Sequence, residues 1–259
     1  MEDACCFAEQ KLHENEMNVD DVMHMIPRMV DVALAWEGCH ESEKALEFEE
    51  MGVDHWASEA NLATFRQIMP GGAKLFDHVT TMSTSSLLGG LTWDKVLDPG
   101  IAELLTRKLG AYYGAVKPEN GGTCTLVHGD LRGDNVFFCA PSREHPDGWP
   151  TIDFQLMFQG PVPSDLAYLM NGGSVLPEVY TVQSRERILS TFCERFMAGT
   201  QIYRNYTWQQ FLRESSIMAT VEFVYYVGFG AAIWQTGWKC RKGCGAELLR
   251  SGSFSAACD

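Results

Sequence analysis

With 259 residues, 46% of them hydrophobic, the chain can bury a substantial core as one large domain or two small ones. Its formal net charge of -14, with 20 Lys and Arg against 34 Asp and Glu, argues against a nucleic-acid surface, because phosphate backbones are gripped by cations. Nine cysteines form no paired metal spacing: Cys240 and Cys244 have no second pair, and Cys5 and Cys6 are adjacent.

The start, Met1-Glu2-Asp3-Ala4-Cys5-Cys6, is acidic and lacks the basic-then-apolar order of a secretory signal. Together with the odd cysteine count, this makes reduced thiols and a cytoplasmic location the expectation.

The first strong helical pattern runs from Val19 to Trp36, with Val22, Met23, Ile26, Met29, Val30, Ala33 and Leu34 at helical spacing. Asn18 is the predicted N-cap, with Asp20 and Asp21 in the first turn. Pro27 lies inside the pattern and is expected to kink the helix or start a second one, since it removes one ladder hydrogen bond. Ser58 to Ile68, Ala73 to about Met82, and Ile101 to Val116 read as further helices, the last stopped by Pro118 and Gly121-Gly122.

The chain then changes character. Thr125 to Val127, Val136 to Phe138 and Thr151 to Phe154 are short β-type runs, with Pro141 to Pro150 as a long hairpin loop. Helical periods resume at Ser164 to Met170, Gln183 to Met197 and Trp208 to about Trp234, followed by a tail from Lys239. Ile217 to Trp234 is long enough to span a bilayer, but Glu222, Gly228 and Gly230 favour a buried core helix, so no membrane association is expected. Trp56, Trp93, Tyr225 and Trp234 are read as core aromatics.

Chemistry concentrates in Leu126-Val127-His128-Gly129-Asp130-Leu131-Arg132-Gly133-Asp134-Asn135-Val136 and Thr151-Ile152-Asp153-Phe154-Gln155. If Asn135–Phe138 and Thr151–Phe154 pair as a hairpin, then Asp130, Asn135 and Asp153 converge. Hard divalent ions such as magnesium take one or two carboxylates plus phosphate oxygens, and a neighbouring carboxylate can hold a hydroxyl for attack. Phosphoryl transfer from ATP fits that donor set. Asp134 is read as a turn former, because Asp, Asn and Gly dominate tight turns.

His128-Gly129-Asp130-x-x-x-x-Asn135, Ile152-Asp153-Phe154-Gln155, Gly160-Pro161 and Asp165-Leu166-Ala167-Tyr168 resemble the aminoglycoside phosphotransferase and choline kinase superfamily, most closely its ecdysteroid kinase-like branch. The resemblance implies a predominantly helical α+β fold, the C-terminal lobe of a protein-kinase-like enzyme, with a small hairpin at its active face. It implies Asp130 as catalytic base, His128 bracing the loop and Arg132 as a candidate phosphate contact. Asn135 and Asp153 would hold magnesium on ATP, and Asp165 would fix the catalytic loop from the following helix. The acceptor would be a hydroxyl of a small molecule; neither its identity nor the oligomeric state is specified.

The whole chain is then one lobe: a hinge-like start at 1–17, a substrate-side helical region at 18–120, the catalytic loop and hairpin at 121–170, a helical region at 171–238 and a tail at 239–259. The family's N-terminal β-lobe has no counterpart. No lysine before His128 sits in a strand-like setting, and Gly71-Gly72-Ala73-Lys74 reads as a helix stop. Met1-Glu2-Asp3 resembles the hinge between lobes, so the expectation is a fragment of a longer kinase. The alternatives are a non-catalytic kinase-like binding module, and a metal-dependent hydrolase using His128, Asp130 and Asp153 as ligands.

Overall fold

The computed structural model describes residues 11–12, 17–41, 111–112, 114–138, 148–171 and 174–235. The predicted helices at Ser58–Ile68 and Ala73–Met82 lie outside them, as do Trp56, Trp93 and the tail. Of the helix expected over Ile101–Val116, residues 111–112 and 114–115 are helical.

Helix α1, Val19–Ala35, begins on a reciprocal cap. Asn18 Oδ1 accepts from the amides of Asp20 and Asp21 at 2.8 and 3.0 Å, and the Asn18 amide donates to Asp21 Oδ2 at 3.0 Å. No second helix starts at Pro27. One helix runs through it, with Met25, Ile26, Met29 and Val30 buried on either side. Burial of that apolar stripe outweighs the single lost ladder bond.

Two small antiparallel pairs follow. Strand β1, Lys11–Leu12, lies in the segment read as a hinge; it pairs with β3, Phe137–Phe138. Strand β2, Thr125–Val127, pairs with β4, Phe158–Gly160, in the register Thr125↔Gly160, Leu126↔Gln159, Val127↔Phe158. The hairpin expected between Asn135–Phe138 and Thr151–Phe154 shrinks to one bridge, Val136↔Thr151. Phe137 N–H donates to Pro150 O and Ile152 N–H to Asn135 O, both at 3.1 Å, before a 3₁₀ turn at Phe154–Leu156 ends the pairing.

The remaining helices are α2, Ser164–Asn171; α3, Val182–Gly199; and α4, Trp208–Gln235. Helix α1 packs on α3, and α2 on α4. Val22, Ile26 and Val30 of α1, Leu166 and Leu169 of α2, and Phe192 and Phe196 of α3 share one core with Phe211 of α4. Leu131, Val136, Trp149 and Val162 join it from the loop segments, so the polar loop is anchored by its own apolar residues. No helix among the described residues is long and apolar enough to cross a membrane.

The start of β2 is pinned by a buried carboxylate on α4. Glu214 Oε1 accepts from the Thr123 amide at 2.7 Å, and Oε2 from Thr123 Oγ1 at 2.7 Å and Tyr206 Oη at 2.6 Å. Thr123 Oγ1 in turn accepts from the Val162 amide beyond β4 at 2.9 Å. Burial pushes the Glu214 carboxyl above the usual range, opposed by the donors from Tyr206 and Thr123. Cys39, Cys124 and Cys193 are buried thiols; the first two lie 3.7 Å apart at sulfur.

Candidate active site

The polar loop that carries His128, Asp130 and Asn135 leaves β2 at Val127 and turns at Gly129, where φ is 82°. A Cβ there would stand 2.1 Å from Leu156 O, so both the backbone angle and the space require glycine. Asp165, in the first turn of α2, holds the turn from below. Its Oδ2 accepts from the His128 amide at 2.9 Å and its Oδ1 from the Gly129 amide at 3.1 Å.

His128 braces the loop with both ring nitrogens. The Asp130 amide donates to Nδ1 at 3.2 Å, which leaves Nε2 to carry the proton and donate to Ile152 O at 3.0 Å. The ring also packs on Phe154, centroids 4.7 Å apart. The histidine thereby ties the Asp130 loop to the segment bearing Asp153.

Asp130 is 6% exposed, and each of its oxygens is engaged. Asn135 Nδ2 donates to Oδ2 at 3.0 Å and to the Asp130 main-chain carbonyl at 2.9 Å. Tyr168 Oη donates to Oδ1 at 2.6 Å. Arg132 Nε lies 3.2 Å from Asp130 Oδ1 and 3.0 Å from Asp134 Oδ1; these are ion-pair contacts rather than aligned hydrogen bonds. Arg132, a candidate phosphate contact, thus lies against two carboxylates of its own loop, and Asp134 serves as its counter-ion within a 3₁₀ turn. Beyond α2, Ser174 Oγ accepts from the Gly133 amide at 2.7 Å and anchors the far end of the loop.

Asp153 is placed by backbone rather than by a strand. Its neighbour Ile152 bonds Asn135, and Asp153 itself is left-handed, with φ 65° and ψ 60°. It is the one non-glycine residue with positive φ among the described residues, a conformation Asp tolerates better than most and one found at functional sites. Its side chain is exposed, with Gln155 Nε2 donating to Oδ2 at 3.3 Å.

Asn135 spends its two hydrogen bonds on Nδ2, so Oδ1 is the oxygen it can offer a cation. An amide oxygen and an exposed carboxylate are hard donors that suit magnesium. No cluster of three or more His, Cys, Asp or Glu able to hold a metal occurs among the described residues. A cation here would be completed by phosphate and water, which is magnesium's usual habit.

A cavity of about 100 Å³ adjoins the loop, its lining including Met29, Leu131, Trp149, Phe192, His128 and Asp165. Ligand pockets run to roughly 300–1,000 Å³, so the space that the described residues enclose is smaller than one.

Residues 42–201, more than half the chain and spanning every site residue above, match the model of the ecdysteroid kinase-like family. The chain belongs to that family. No curated protein and no solved structure matches it. For this ecdysteroid kinase-like chain, sequence reasoning singled out Asp130, His128, Arg132, Asn135, Asp153 and Asp165 but missed Tyr168 and Ser174 as direct partners of the loop. Tyr168 stood in view as the last residue of the Asp165-Leu166-Ala167-Tyr168 motif. Its spacing of three from Asp165 puts both on one face of a helix.

Behind α2 lies a second buried carboxylate, Glu222 of α4, whose Oε2 has no hydrogen-bond partner among the described residues. Burial, and then the Asp165 charge, raise its pKa well above the ordinary value of 4.5. Asp165 is raised too, by burial, against the pull of His128 and the two amides. A raised folded pKa means the folded state binds the Glu222 proton more tightly than the unfolded chain does. That contribution is complete below the ordinary glutamate range and is lost as pH rises through the folded value. Glu222→Gln, which keeps the neutral shape, is therefore expected to melt higher than the parent at pH 7.5, by about 2–4 °C for each kcal/mol regained, and level with it near pH 4. Equal melting temperatures at pH 7.5 would mean that the buried Glu222 carboxyl costs the fold nothing at that pH.

Proposed function

We propose that the chain supplies the catalytic loop of an ATP- and magnesium-dependent phosphotransferase acting on a hydroxyl of a small molecule, as the C-terminal lobe of a kinase-like fold. The observation that carries this reading is the Asn135 clamp. One amide nitrogen fixes both the main chain and the carboxylate of Asp130, while the same residue's backbone carbonyl holds the segment of Asp153. Membership of the ecdysteroid kinase-like family supports it.

Asp130 orients the acceptor hydroxyl and takes its proton as the new oxygen–phosphorus bond forms and the bond to the departing ADP breaks. Asn135 and Asp153 would hold magnesium, which supplies charge neutralisation on the phosphates. Arg132 offsets the negative charge of Asp130 and Asp134, and Asp165 keeps the loop backbone still. Most of the rate gain in such chemistry comes from positioning and charge stabilisation.

The hydrolase alternative fits less well. Both nitrogens of His128 are already committed to backbone partners, so the ring has none left for a metal.

Asp153→Asn tests the proposal, because asparagine also tolerates the left-handed backbone and the fold is kept. Affinity for ATP in the presence of magnesium, measured by calorimetry, is expected to fall at least about tenfold, comparable to or beyond the loss of an outer-shell partner. Unchanged magnesium-dependent affinity would sink the assignment of Asp153.

A further inference from the structure

We propose that Tyr168 is a positioning residue for Asp130, fixing the rotation of its carboxylate so that the acceptor hydroxyl is received at Oδ2. The inference rests on the phosphotransferase reading above. Tyr168 and Asp130 are both buried, and their contact at 2.6 Å lies within the roughly 2.5–2.7 Å of a hydroxyl donating to a carboxylate, a bond strengthened by the acceptor's charge. The pull is balanced. Asn135 holds Oδ2 from one side while Tyr168 holds Oδ1 from the other, so the carboxylate plane cannot turn without stretching one of the two.

A carboxylate has about four acceptor positions on its two oxygens. Oδ1 faces Tyr168 and the Arg132 guanidinium, whereas Oδ2 receives Asn135 Nδ2. The remaining position on Oδ2 is the one open to an acceptor proton. Tyr168 shares its helix face with Asp165, three residues earlier, which holds the loop backbone. One helix thus fixes both where the loop runs and how its carboxylate is turned. Phenylalanine would fill the same buried volume, so a role in packing alone predicts little change on removing the hydroxyl.

The experiment measures basal hydrolysis of magnesium-ATP, with water as acceptor, by the 259-residue chain, its Tyr168→Phe variant and its Asp130→Asn variant. Tyr168→Phe is expected to lower kcat about tenfold, with the KM for ATP within about twofold of the parent, and Asp130→Asn to lower kcat further. A Tyr168→Phe enzyme with parental kcat beside a crippled Asp130→Asn enzyme overturns the positioning role and leaves the phosphotransferase reading standing. Parental turnover, or equal absence of it, in Asp130→Asn overturns that reading and the inference with it. If Tyr168→Phe loses its far-ultraviolet circular dichroism signal, 3-fluorotyrosine in place of Tyr168 decides, since it keeps the shape and alters only the donor. An altered kcat then supports the role, and an unaltered one overturns it.

Discussion

Asp130→Asn is expected to cut phosphoryl transfer by about 10²–10⁴ while leaving the fold and magnesium-dependent nucleotide affinity near those of the parent. The surroundings of the side chain explain the separation. An asparagine oxygen can still accept from Asn135 Nδ2, and its amide nitrogen can donate to the Tyr168 oxygen. Arg132 keeps Asp134 as counter-ion. What disappears is the negative charge that, in the proposed function, receives the acceptor proton. ADP release measured across a panel of hydroxylated small molecules checks this. Retained turnover in the variant would place the chemistry elsewhere.

Glu214→Ala is expected to cost roughly 3–5 kcal/mol of stability, the largest effect on folding of any substitution considered. It leaves three buried donors without an acceptor: the Thr123 amide, Thr123 Oγ1 and Tyr206 Oη. The damage extends to the Val162 amide, which relies on the orientation of Thr123 Oγ1. Thermal melting should fall by roughly 10 °C in a chain of this size, and Glu214→Gln, which keeps an acceptor oxygen, should lose less. A melting temperature unchanged in Glu214→Ala would mean that water or a rearranged neighbour satisfies those donors.

What could be read from the sequence followed signals that are local. The Asn18 cap with Asp21 at the third helical position, the apolar period of α1, and the helices of Ser164, Gln183 and Trp208 are patterns within one element. So was the order of His128, Asp130, Asn135 and Asp153. The misreadings need tertiary knowledge. Phe158–Gly160 is three residues long and owes its strand character to β2 beside it. Phe137–Phe138 looked like the arm of a hairpin, yet its ladder partner is Lys11–Leu12, more than a hundred residues earlier. Thr151-Ile152-Asp153-Phe154 alternates as a half-buried strand should, but the left-handed Asp153 bends the chain into a 3₁₀ turn. Glu214 and Glu222 are both buried on α4, and the helical period alone does not name the partners each carboxylate meets there.

The eight residues of α2 contribute two side chains to the His128–Asn135 loop, and that helix also rests on α4. Aim and architecture are therefore one variable in this protein. A substitution on α4 that tilts α2 by a fraction of an ångström would leave every motif residue in place, yet displace the carboxylate and the turn that bears it together. Inactivating alleles should consequently gather along a helix remote in sequence from the motif, and would be misread as scaffold damage by anyone judging the protein from its motif alone.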